Sequence, residues 1–125
     1  MKKLIALLLV LFVFFHSMGQ VIGKVDRKSK EFIVPPDQKI EYRVYGYQFA
    51  NINMKKMICF SSNVNDVGSN YAGCPLGSYY NTNQLREGDR IFYLGNVGTF
   101  GKMNYVTGAG KKILFYLPKK YYVIK

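Results

Sequence analysis

Lys39–Phe49 (KIEYRVYGYQF) decides the fold class. Its side chains alternate: Ile40, Tyr42 and Val44 fall on one face, and Glu41, Arg43, Tyr45, Tyr47 and Phe49 on the other. Period-2 alternation of β-branched and aromatic residues is the signature of a half-buried strand. Gly46, in the middle of the run, predicts a bulge or bend.

Working outward, the same vocabulary recurs. Upstream, Glu31–Val34 reads as a short strand stopped by Pro35-Pro36-Asp37, which removes two backbone donors and signals a turn. Downstream, Met57–Ser62, Arg90–Leu94, Met103–Thr107, Lys111–Leu117 and Tyr121–Ile124 read as further strands. Gly108-Ala109-Gly110 is a short hairpin connection, and Pro118 ends the strand before it. Ile113, Phe115 and Leu117 point one way and Leu114 and Tyr116 the other, so this strand is apolar on both faces and belongs centrally or under a cover. Gly95–Lys102 reads as a Gly-rich connection and Asn63–Asn83 as a long loop, a length that is often functional. No apolar residues recur at helical spacing over three turns after the leader. The expectation is an all-β domain, a small antiparallel barrel or sandwich of six to seven strands.

The N-terminus has a different character. Lys2 and Lys3 precede twelve unbroken apolar residues, Leu4–Phe15, and Ser17 and Gly19 stand at the −3 and −1 positions of a cut before Gln20. A membrane span needs ~20 apolar residues, and His16, Ser17, Gly19 and Gln20 interrupt this run first. The reading is a cleaved secretion signal helix over 1–19, a flexible basic lead-in over 20–30, and one β domain over 31–125. No transmembrane segment remains after cleavage, and the expected location is secreted or periplasmic.

Chemistry follows from that cut. Eighteen Lys+Arg face seven Asp+Glu in the whole chain, and without Lys2 and Lys3 a net charge of +9 remains. The sole histidine, His16, leaves with the leader. Ser-His-Asp, Cys-His and His-ligated zinc chemistries are closed to the remainder. Cys59 and Cys74 are the only thiols, and an oxidising compartment predicts one disulfide between them. In the loop-closure picture such a ring contributes ~3 kcal/mol.

Candidate sites are weighed against plainer roles. Arg43, Tyr45 and Tyr47 stand in a row with Glu41, where Arg can grip an anion bidentately and Tyr offers a flat apolar body with a polar tip. The same tyrosines also suit cross-strand packing. Tyr71, Tyr79 and Tyr80 lie in the loop that the disulfide would preorganise. The pairs Lys55-Lys56, Lys111-Lys112 and Lys119-Lys120 send alternate charges to opposite faces and also serve as edge protection. Asn63, Asn65, Asp66 and Gly68 echo a calcium loop but supply one carboxylate, so no metal is expected. Gly95–Lys102 misses the phosphate-loop spacing, because Met103 follows the lysine. No carboxylate pair stands out for acid–base work.

These readings point to a small, non-catalytic exported module without cofactors. Its partner would be an anionic glycan, a lipid headgroup or an acidic protein of the envelope or extracellular space, and not intracellular nucleic acid. The alternative is an inhibitor or immunity-type factor acting through the disulfide loop. A carboxylate-based enzyme is the third reading.

Overall fold

The computed structural model describes residues 20–67 and 73–125. The expected signal over 1–19 lies outside the described residues. All-β architecture holds: the described residues carry nine strands and two single turns of 3-10 helix. The strands are β1 (Gly23–Val25), β2 (Phe32–Ile33), β3 (Val44–Tyr47), β4 (Lys56–Phe60), β5 (Ser78–Tyr79), β6 (Arg90–Val97), β7 (Phe100–Val106), β8 (Lys112–Pro118) and β9 (Tyr122–Ile124).

They form two sheets, ordered β2-β1-β9 and β5-β4-β3-β8-β7-β6. Each sheet is mixed, because β1 runs parallel to β9 and β4 parallel to β5. The expectation of a small antiparallel barrel or sandwich of six to seven strands is therefore corrected in its finer part: the sheets are mixed. The strands do not close, and their number exceeds seven. β1 and β9 lie far apart in sequence, so no local pattern announces the first parallel pair.

One apolar cluster joins the sheets. Val25 and Phe32 of the small sheet pack with Ile58, Phe60, Ile91, Met103, Phe115 and Leu117 of the large one, all essentially solvent-free. Phe32 meets Phe60 edge to face at 5.8 Å and Tyr122 at 6.5 Å. The bridge Glu31↔Phe92 and the bond from the Tyr93 amide to the Lys30 carbonyl at 2.7 Å tie the start of β2 to the edge strand β6.

Several local expectations change. The lead-in over 20–30 is part of the fold, because its apolar positions Ile22 and Val25 are fully buried and β1 is the centre of its sheet. The long strand at Lys39–Phe49 shrinks to β3. Before it, the Ile40 amide donates to the Ser62 hydroxyl at 2.6 Å, and the chain bends at Glu41 and Tyr42. Ile40 and Val44 stay buried as expected, whereas Tyr42 turns outward and is 80% exposed. The connection at Gly95–Lys102 is mostly strand: β6 and β7 form one hairpin whose two-residue turn places Gly98 at φ 60°.

The disulfide is also corrected. Cys59 and Cys74 are both buried free thiols. Cysteine packs well as a small hydrophobe, and burial alone accounts for both positions. Desolvation pushes the Cys59 thiol up to about 12, with charge on Cys74 and Asp66 acting the same way. Cys74 is raised as well, again by burial. Neither is a thiolate at neutral pH.

Candidate functional site

On the large sheet, inward and outward residues alternate strictly enough to define an outer face. Gly101, Met103 and Tyr105 of β7 and Phe115 and Leu117 of β8 are buried inward. Their neighbours point out, and the register pairs Phe100 with Pro118, Lys102 with Tyr116, and Tyr47 of β3 with Tyr116. Tyr45 and Tyr47 stand on this face, as the sequence pattern expects. Gly46 makes that placement possible. The register shifts between Gly46 and Tyr47, so the predicted bulge is present. A β-carbon on Gly46 would collide with the Phe115 ring and reach 2.7 Å from Ile58 Cγ2.

Aromatic rings then run across the sheet. Tyr45 lies 6.4 Å from Tyr47, and Tyr47 lies 6.4 Å from Phe100 at 86°. Lys56 Nζ sits 4.1 Å above the Tyr45 ring. At one end of this row opens a cleft of about 740 Å³. Its floor is Tyr47 and Phe100; one wall is Ala50, Asn51 and Ile52, the other Lys119, Lys120 and Tyr121. That volume is in the range of small-molecule sites, ~300–1,000 Å³.

Local bonds hold both walls. The loop after β3 closes through the Gln48 amide to the Lys55 carbonyl at 2.8 Å. Across the cleft, the Lys119 amide donates to the Thr99 carbonyl at 2.9 Å, pinning the 3-10 turn Lys119–Tyr121 to the β6–β7 hairpin. Lys119 and Lys120 are exposed, and Lys120 Nζ lies 5.2 Å from the Tyr121 ring centroid. No carboxylate lines the cleft. Burial raises the Tyr47 phenol, and the nearby Tyr121 adds to this, so Tyr47 keeps its proton at neutral pH and can donate to an anion. The chemistry on offer is two ammonium groups and three aromatic rings, two of them phenols.

The remaining sequence candidates are placed elsewhere. Arg43 does not face the cleft: its Nε and Nη2 donate to Asp66 at 2.9 and 3.2 Å, and Ser61 Oγ donates to the same carboxylate at 2.9 Å. Asp66 is 2% exposed, and Arg43 first, then Ser61, hold its carboxyl below the usual range while burial opposes them. This triad anchors the loop that the calcium pattern had marked. Tyr79 is in the core, with its hydroxyl 3.3 Å from that of Tyr105. Tyr80 is half-buried beside Lys39 and Val64 in a separate, smaller depression. Tyr71 lies outside the described residues.

Three carboxylates, Glu31, Glu87 and Asp89, border one depression of about 430 Å³. Arg90 Nη1 donates to both Glu31 oxygens at 3.0 and 3.1 Å. Asp89 accepts from the Tyr105 hydroxyl at 2.6 Å and the Gly108 amide at 2.9 Å. Those partners give two of the three acids structural work. Among the described residues, no three His, Cys, Asp or Glu cluster to hold a metal.

Phe100, Tyr121, Asn51 and Ile52 were not marked by sequence reasoning. They come from three separate segments, and only the sheet order brings them together. The one local signal was Lys119-Lys120-Tyr121, directly after the strand-ending Pro118. No protein-family model, curated protein or solved structure matches the chain.

Proposed function

We propose that this chain is a small exported, non-catalytic binding module that takes an anionic glycan in the Tyr47–Phe100–Tyr121 cleft. The observation that carries this reading is the lining: three aromatic rings and two lysines with no carboxylate. A pyranose ring presents a C–H face that packs on the electron-rich face of an aromatic side chain. A sulfate, phosphate or carboxylate on that ring would meet Lys119 and Lys120. Cleft size favours this over an acidic protein, whose flat contact surface would span far more than one ligand-sized hollow. Export follows from the leader, and the reading places the module in the periplasm or outside the cell.

Calorimetric titration of the processed protein with a heparin tetrasaccharide, and with its desulfated counterpart, tests the reading. The sulfated sugar should bind and the desulfated one bind far more weakly. Lys119→Gln with Lys120→Gln should weaken binding about tenfold or more, as expected for losing hydrogen bonds to a charged group. Equal affinity for both sugars, or an unaffected double variant, would remove the charge-based part of the proposal.

A further inference from the structure

The loop that walls the cleft has a second property. Between the residues that close it, Phe49–Met54 (FANINM) carries no charge of either sign. Phe49 is 54% exposed and Ile52 64% exposed, two large apolar side chains on one short loop. Cations surround it: Lys55 and Lys56 follow directly, and Lys119 and Lys120 stand on the opposite wall of the cleft. Three of the loop's backbone donors are met internally. The Asn51 amide donates to the Phe49 carbonyl at 2.7 Å, the Met54 amide to the Asn51 carbonyl at 3.1 Å, and the Asn53 amide to Asn51 Oδ1 at 2.8 Å.

We infer that this loop docks the protein on an anionic lipid surface, with Phe49 and Ile52 entering the headgroup region and the four lysines meeting lipid phosphates. Apolar tips gain by leaving water, and a ring of cations is drawn to a negative surface, each within a Debye length of it. The amides of Asn51, Asn53 and Met54, already bonded within the loop, enter a water-poor layer without being left unsatisfied. Charge complementarity favours this loop over the exposed Tyr42. Tyr42 is 80% exposed but stands beside the exposed Glu41, whose carboxylate an anionic surface would repel. Docking goes beyond the glycan reading: Phe49 does not line the cleft, so the two can fail separately.

Flotation with vesicles tests it, using the processed protein and Phe49→Ser. One vesicle set is an equal mixture of phosphatidylglycerol and phosphatidylcholine; the other is phosphatidylcholine alone. Wild type should float with the first and not the second, and Phe49→Ser should lose at least about tenfold in vesicle affinity, the scale of one buried aromatic side chain. The same variant should keep wild-type affinity for the heparin tetrasaccharide, which separates loss of docking from loss of the cleft. Wild type that floats with neither set, or Phe49→Ser that floats like wild type, would overturn the inference. So would a concentration-dependent dimer that Phe49→Ser converts to monomer, because it would assign the loop to a second copy of the chain.

Discussion

Tyr47 of β3 and Phe100 of β7 meet edge to face, 6.4 Å between centroids, although β8 lies between their strands. Two strand spacings amount to about 9.6 Å, so the rings must lean toward each other across β8. Their contact makes a continuous aromatic floor from two segments more than fifty residues apart in sequence. The cleft depends on that floor and on the turn carrying Lys119 and Lys120.

Removing the ring tests the floor. Tyr47→Ala should lower affinity for the sulfated tetrasaccharide about tenfold, through loss of a stacking surface and a donor. Its stability should fall by roughly 1–2 kcal/mol, the scale of one edge-to-face pair plus partial burial. Calorimetry and denaturant melts read the two effects apart.

Gly46 tests how β3 is held beneath that ring. Gly46→Ala adds a β-carbon where Phe115 and Ile58 already fill the space, with Ile58 Cγ2 only 2.7 Å away. Overpacking of this kind costs about 1–3 kcal/mol. The urea midpoint should drop accordingly, while Gly98→Ala, at a solvent-facing turn, should act through backbone strain at φ 60° and leave the core intact.

The thiols give a direct count. Native protein should react slowly with a thiol reagent at neutral pH, because both cysteines are buried and protonated. Unfolding in denaturant without reductant should release two reactive thiols. Release of none would restore the disulfide.

Stability should fall at both ends of the pH scale. Arg43 holds the folded Asp66 carboxyl below its ordinary 3.8, so the unfolded chain takes up the proton first as pH drops. The stabilisation is complete above that value and fades below it, and Asp66→Asn should flatten this acid limb. On the alkaline side, burial raises Cys59 from 9.0 to about 12 and also raises Tyr105 and Tyr122 above 10.0. The unfolded chain then ionises first, and stability is lost as pH climbs from about 9 towards 12. Circular dichroism melts across pH, with phenolate absorbance alongside, follow both limbs.

Strand identity was legible where the signal is local. Glu31–Val34, Met57–Ser62 and Lys111–Leu117 fall on β2, β4 and β8 because short apolar, β-favouring runs between turn signals mark strands within a few residues. Gly46 announced its bulge just as locally. β1 and β5 escaped notice because each is short and pairs in parallel with a partner its own sequence does not reveal. Tyr45 and Tyr47 were readable as outward-facing, yet Arg43 was not readable as Asp66's partner. That ion pair links residues 23 positions apart, and its geometry follows from the fold of the loop. The cleft itself is a product of sheet order, so only half of its floor, Tyr47, could be named in advance.

Amide and side-chain NMR shift mapping with the heparin tetrasaccharide addresses the cleft most directly. Resonances of Tyr47, Asn51, Thr99, Phe100 and Lys119–Tyr121 should move together and saturate at one affinity. Shifts scattered over Lys24, Lys39, Lys111 and the other surface lysines, with Tyr47 and Tyr121 unmoved, would mean that net charge alone attracts the sugar and that the cleft does not bind it.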